Sequence, residues 1–184
     1  MKPIFCTRKP VLCAALVALT LSGGSVHADA PVGGTIRREV QGDYRKFTAA
    51  ETSRQYDRIK QIVETFFSPS LTVYTPSGKT LNYAQFLEEM KATTHETLAV
   101  QENAFHPQTL KRQGNTLTDT GIYQFTRTFL DLDGDFGKKG LTYQLNERSH
   151  YQGEWVKTGQ SWRLQSLHLS GRRQIVNGKL FLNG

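Results

Sequence analysis

The sequence predicts an α+β domain, with N-terminal helices packed on one face of a curved, mostly antiparallel sheet. Three observations carry this. Up to about His95 the apolar residues recur at three- and four-residue steps, the period of a helix with one buried face. Beyond His95 they alternate at period two in long segments rich in β-branched and aromatic residues. Glycine-bearing turns, "QGN", "LDGDFGKKG" and "KTGQS", separate those segments. Helices first and strands afterwards is the order of an α+β fold, not of alternating βαβ units.

Residues 1–28 stand apart from this pattern. Lys2, Arg8 and Lys9 form a positive start, Val11 to Leu21 is apolar, and small residues follow up to Val26-His27-Ala28. This is the order of a secretory signal peptide cleaved near Ala28, and it predicts a periplasmic or secreted protein. The apolar run is too short to span a bilayer, so no membrane association is expected after cleavage. Cys6 and Cys13 both lie in this segment. The exported chain would then hold no disulfide, thiolate nucleophile or zinc–cysteine site.

Residues 29–35, "DAPVGGT", read as a flexible leader. A first helix is expected over Ile36 to Ala49. A second begins near Thr52 or Ser53, where Tyr56, Ile59, Lys60, Ile62, Val63, Phe66 and Phe67 form a stripe, and it ends at Ser68-Pro69-Ser70. A short strand, Leu71 to Thr75, leads to a turn at Pro76-Ser77-Gly78-Lys79 and a third helix capped by Asn82. Strands are expected at about 98–106, 109–112, 117–130, 141–156 and 161–170. Residues 172–184 are open between a last hairpin and a tail.

Alternation assigns faces. Tyr123, Phe125, Arg127 and Phe129 share the more apolar face of one strand. Tyr143, Leu145, Glu147, Ser149, Tyr151 and Trp155 share that of the next. A turn near Gly134-Asp135 opposes odd residues with odd ones, which makes Arg127 and Glu147 diagonal neighbours on an aromatic surface. Pairing Trp155 with Trp162 would put Tyr151 against Ser166 and Ser149 against His168. Two readings stay open for the charged pair. It is a structural ion pair, or Arg127 grips an anionic or carbonyl group in a pocket with Glu147 as its partner or as a general base. His168 has the same two readings.

Other chemistries are not supported. With the signal removed the formal charge falls from +7 to +4, and no basic stripe interleaved with aromatics is present, so nucleic acid is not an expected partner. The pairs Arg37-Arg38, Lys138-Lys139 and Arg172-Arg173 read as solvated surface. No phosphate loop, G-x-S-x-G or H-E-x-x-H occurs, and no cofactor or metal is expected. "DLDGDFG" begins like a calcium loop at Asp131, Asp133 and Asp135. But Phe136 stands where the loop glycine belongs and Thr142 where the bidentate glutamate belongs. A long hairpin turn is expected there instead.

The stretch "FFSPSLTVYTPSGKTLNYAQFLEEM" resembles the strand–turn–helix that closes one end of nuclear transport factor 2-like (SnoaL-like) domains. "WRLQSLHLSG", with Trp162, His168, Ser170 and Gly171, is similar to the closing strand of the calcium/calmodulin-dependent kinase II association domain and its bacterial relatives. A second histidine frequent in that pattern would fall at Ser166 and is missing. The resemblance spans residues 36–171. It implies a cone in which the sheet wraps the helices around a pocket, commonly in a homodimer. The fold hosts isomerases, dehydratases, small-ligand binders and assembly domains, so it does not choose among them. Three functions follow as expectations. The first is binding of a small, partly apolar ligand by Tyr123, Arg127, Tyr143, Glu147, Tyr151 and His168. The second is proton transfer, isomerisation or dehydration with Glu147 as base and a tyrosine as donor. The third is homo-oligomeric assembly.

Overall fold

A computed structural model describes residues 32–183. Cleavage near Ala28 and the start of the leader lie outside the described residues. Helix α1 spans Gly34–Ser53 and helix α2 Tyr56–Phe66. Strands β1 (Phe67–Tyr74) and β2 (Thr80–Asn82) follow, then helix α3 (Tyr83–Glu96). Strands β3 (Thr97–Gln113), β4 (Thr116–Leu130), β5 (Thr142–Thr158), β6 (Ser161–Val176) and β7 (Lys179–Asn183) complete the order. None of the described helices is long and apolar enough to cross a membrane.

Local chemistry sets several boundaries. Asn82 caps α3 by accepting from the Gln85 backbone N–H at 3.0 Å, and Gln85 Oε1 accepts from the Asn82 N–H at 3.0 Å. This reciprocal box satisfies two amides that would otherwise lack partners at the helix start. Helix α1 runs four residues past its expected end and stops where Arg54 turns left-handed, at φ 55°. Ser68-Pro69-Ser70 does not separate helix from strand, because β1 begins at Phe67 directly after α2. The two strands expected before "QGN" are one, β3, interrupted by register shifts that include one between Pro107 and Thr109.

The sheet is mixed, open and curved, in the order β2-β1-β6-β5-β4-β3, with β7 added on β6. The β1–β6 pairing is parallel and the rest antiparallel. All three helices pack on its inner side. There Val40, Tyr44, Phe47, Ile59, Val63, Phe66 and Phe86 meet Leu71, Val73, Leu117, Tyr151, Trp155, Trp162, Leu164 and Leu167 in one core. A second, smaller cluster of Phe129, Leu145 and Val176, joined by Phe136 and Tyr143, sits at the far end of the long hairpin.

The β4–β5 register follows the expected parity. Phe125 pairs with Glu147 and Arg127 with Leu145, so Arg127 and Glu147 are diagonal neighbours on the inner face. The last hairpin does not follow the expected register. Trp155 pairs with Leu164, Tyr151 with Leu169 and Gln152 with His168. The register shifts between Glu154 and Trp155, which leaves Gln165 as an extra residue in β6. One extra residue sends every later side chain to the opposite face. Leu167 and Leu169 therefore turn inward and His168 outward. A second shift lies opposite Ser149, where Gly171 takes φ +56°. It restores the first parity, so Arg172, Gln174 and Val176 face in. Residues 172–183 are thus the end of β6 and the hairpin strand β7.

Candidate functional site

Between the two apolar clusters lies a half-enclosed cavity of about 190 Å3. Its walls are Phe47 and Glu51 of α1, Phe86, Met90 and Thr93 of α3, and Phe105 of β3. The sheet adds Tyr123, Phe125 and Arg127 of β4, Leu145 and Glu147 of β5, and Leu167, Leu169 and Arg172 of β6. Phe136, from the β4–β5 loop, closes one end. The walls are aromatic and aliphatic with a few convergent polar groups, the usual make-up of a small-molecule site.

The polar groups fall into two ion pairs and one acid without a cation. Arg172 donates to Glu147 Oε2 at 2.7 Å, and Gln174 Nε2 donates to the same oxygen at 2.8 Å. Arg127 is 7% exposed. It donates to the Thr93 carbonyl at 3.2 Å and to Thr97 Oγ1 at 2.9 Å, and its carboxylate partner is Glu96 at 3.9 Å. The guanidinium lies 4.6 Å from the Phe129 ring centre. Burial lowers its proton affinity, and the charges of Glu96 and Glu147 oppose that shift; an arginine keeps its charge in such a site. The Nε–H groups of Arg127 and Arg172 are buried and without acceptors among the described residues.

Glu51 is the third acid. It accepts from Asn103 Nδ2 at 2.8 Å and has no cation within ion-pair distance among the described residues. Burial pushes its carboxyl up to about 7, against the Asn103 hydrogen bond and the Arg127 charge. Burial also pushes the Tyr123 hydroxyl well up, helped by the charges of Glu51 and Glu147.

Of the six residues expected to bind a ligand, Tyr123, Arg127 and Glu147 come together at the cavity. Arg127 and Glu147 do not pair with each other; each has another partner. Tyr143, Tyr151 and His168 lie elsewhere. The Tyr143 hydroxyl accepts from the Lys138 N–H at 2.8 Å in the hairpin loop. Tyr151 lies deeper in the core, where it packs edge-on against Tyr44 and Phe105. His168 is exposed on the outer face and stacks on Tyr74, with ring centres 3.9 Å apart.

Two charged cavity residues were not foreseen. Glu51 follows Val40, Tyr44 and Phe47 at helical spacing, so its position on the inner stripe is visible once α1 is extended past Ala49. Arg172 reads as surface by sequence, and the Gly171 bulge brings it in. The "DLDGDFG" segment has a structural role. Asp131, 3% exposed, accepts the backbone N–H groups of Gly134, Asp135 and Phe136 at 2.9–3.1 Å. These bonds hold Phe136 against Phe129 at the end of the cavity. Asp131→Ala is expected to cost about 1–3 kcal/mol and to speed amide hydrogen exchange across 132–140. Unchanged exchange would show that the loop holds itself.

No protein-family model and no curated protein matches the sequence. Solved structures do match in fold. A protein from Kribbella flavida superposes with a TM-score of 0.62 at 15% identity, over 78% of this chain and 95% of its own. A nuclear transport factor 2-like superfamily protein from Salmonella enterica serovar Typhimurium gives 0.54 at 18% identity, over 74% and 90%. A protein from Exiguobacterium sibiricum, described as a candidate calcium/calmodulin-dependent kinase II association domain, gives 0.54 at 9% identity, over 77% and 95%. The fold is that of the nuclear transport factor 2-like proteins.

Proposed function

We propose that this protein binds a small, partly apolar ligand with an anionic or carbonyl head group in the cavity between α1, α3 and the sheet. The observation that carries this reading is that two arginines, Arg127 and Arg172, line a cavity otherwise walled mainly by aromatic and aliphatic side chains. A guanidinium group pairs strongly with a carboxylate or carbonyl oxygen. The volume suits a compound about the size of a substituted single ring, since a cavity of about 150 Å3 already admits benzene. Export, suggested by residues 1–28, and a homodimer, suggested by the family resemblance, belong to the same reading. In the proton-transfer alternative Glu147 would act through Oε1, because Arg172 and Gln174 both donate to Oε2.

A thermal-shift screen of ring-sized carboxylates, phenols and ketones tests this. A compound at about a hundred times its Kd is expected to add about 2.7 kcal/mol, and so to raise Tm by about 5–10 °C. Arg127→Met should abolish the shift. Arg127 also anchors the end of α3, so Leu169→Trp, which fills the cavity without removing a charge, is the second variant. A screen in which no compound moves the wild type would defeat the reading.

A further inference from the structure

We propose that the cavity takes its ligand as a carboxylate monoanion together with one proton from solvent, and that the proton resides on Glu51. This rests on the ligand-binding reading above and specifies its chemistry. The Arg172–Glu147 contact at 2.7 Å and the Arg127–Glu96 contact at 3.9 Å each balance one positive and one negative charge. Glu51 is the remaining charge, held by the neutral amide of Asn103. Arg127 and Arg172 both line the cavity, and a guanidinium group pairs best with a charged acceptor such as a carboxylate. A carboxylate placed there shares about 190 Å3 with the Glu51 carboxyl. Two like charges in so small a space repel, and protonation of one removes the conflict. The neutral Glu51 acid then has an O–H to donate to the bound carboxylate.

The groups facing Glu51 leave few other places for the proton. On β4 these are Arg127 and Tyr123, on β5 Glu147 and on β6 Arg172; β3 presents the amide of Asn103, and Glu96 of α3 stands outside the cavity lining, 3.9 Å from Arg127. On α1 itself, Arg54 is turned to the carbonyls of Thr97 and Leu98. The arginines do not titrate, and the Tyr123 hydroxyl keeps its proton. Glu147 is held by two donors. Burial raises the Glu96 carboxyl as well, against the Arg127 charge, but it is Glu51 that lines the cavity, and burial pushes it up to about 7.

The probes are benzoate and its neutral analogue benzamide, titrated calorimetrically into the whole chain in two buffers of different ionisation enthalpy. Benzoate binding is expected to take up nearly one proton at about pH 8.5 and close to none at about pH 5.5, with affinity falling about tenfold per unit above the Glu51 pKa. Glu51→Gln should keep benzoate binding and lose both the uptake and the pH slope. Glu96→Gln should keep both. The wild-type titration decides the matter even if a variant fails to fold. Benzoate binding without proton uptake overturns the proposal, as does uptake that survives Glu51→Gln and disappears in Glu96→Gln. Benzamide binding in the absence of benzoate binding sinks the carboxylate assignment while the ligand-binding reading stands. Binding of neither probe, with no compound active in the thermal screen, sinks both.

Discussion

Replacing Trp155 by alanine is expected to lower stability by about 3–5 kcal/mol, the cost of emptying the site of a large buried aromatic. Trp155 has no accessible surface. Its ring packs edge-on against Tyr44 and Phe66 at 5.2 Å each, joining the sheet to both α1 and α2. Its Nε1–H donates to Asp119 Oδ1 at 2.7 Å. The substitution therefore opens a cavity and removes the shorter of the two hydrogen bonds that carboxylate accepts. Trp155→Phe separates the effects, since it keeps most of the ring and removes the donor, at about 1–3 kcal/mol. Urea unfolding followed by circular dichroism measures both. Phe181→Ala, at a ring 50% exposed, should change little. A Trp155→Ala loss no larger than that of Phe181→Ala would mean the core is not organised around this ring.

The second large effect is a dependence of stability on pH. Asp119 has no accessible surface and accepts from Tyr44 at 3.2 Å and from Trp155; its Oδ2 has no partner among the described residues. The site is tight, because a Cβ on Gly153 would lie 2.5 Å from Asp119 Oδ1 and 2.8 Å from the Tyr44 oxygen. Burial pushes the Asp119 carboxyl up to about 6, more than the hydrogen bonds from Trp155 and Tyr44 pull it down. The folded state thus prefers the protonated acid. The contribution is complete below the unfolded pKa near 3.8 and is lost as pH rises through about 6. A displacement of about two units corresponds to about 3 kcal/mol. Glu51 acts in the same direction, with its loss running from 4.5 to about 7. The protein should be more stable near pH 5 than near pH 8. Asp119→Asn, with its amide oxygen at the Oδ1 position, should remove the part of the slope between about 4 and 6. Denaturation midpoints of both proteins across that range measure it. Equal slopes would show that Asp119 stays ionised in the fold.

Much of the fold was legible in the sequence because its signals are local. The period-two alternation from Tyr123 to Phe129 and from Tyr143 to Trp155 assigned inner and outer faces correctly. The strand–turn–helix around Asn82 formed where its capping box and turn residues put it. Half of the candidate site was legible for the same reason. Tyr123, Arg127 and Glu147 sit on those two alternating strands, and parity alone brings them to one side.

The rest depended on contacts between segments far apart in the chain. Alternation carries no mark for a bulge, so Trp155 against Trp162 was a reasonable register; the turn between Thr158 and Ser161 moved it by two residues, and Gln165 and Gly171 then changed its parity. Those two irregularities sent His168 to the outer face and brought Arg172 in. Tyr143 and Tyr151 share the inner face, as their parity requires. Sheet curvature and the long hairpin put one in the loop cluster and the other in the core. Glu51 was legible as a helical position but not as a cavity acid, since that needs α1 laid across β3 with Asn103 beneath it. The sequence alone determined the order of elements and the face of each residue on β4 and β5, because periodicity is written within a single segment. Only the tertiary structure decided which charges share the cavity, because bulge position and helix docking are settled by packing between segments that the chain keeps far apart.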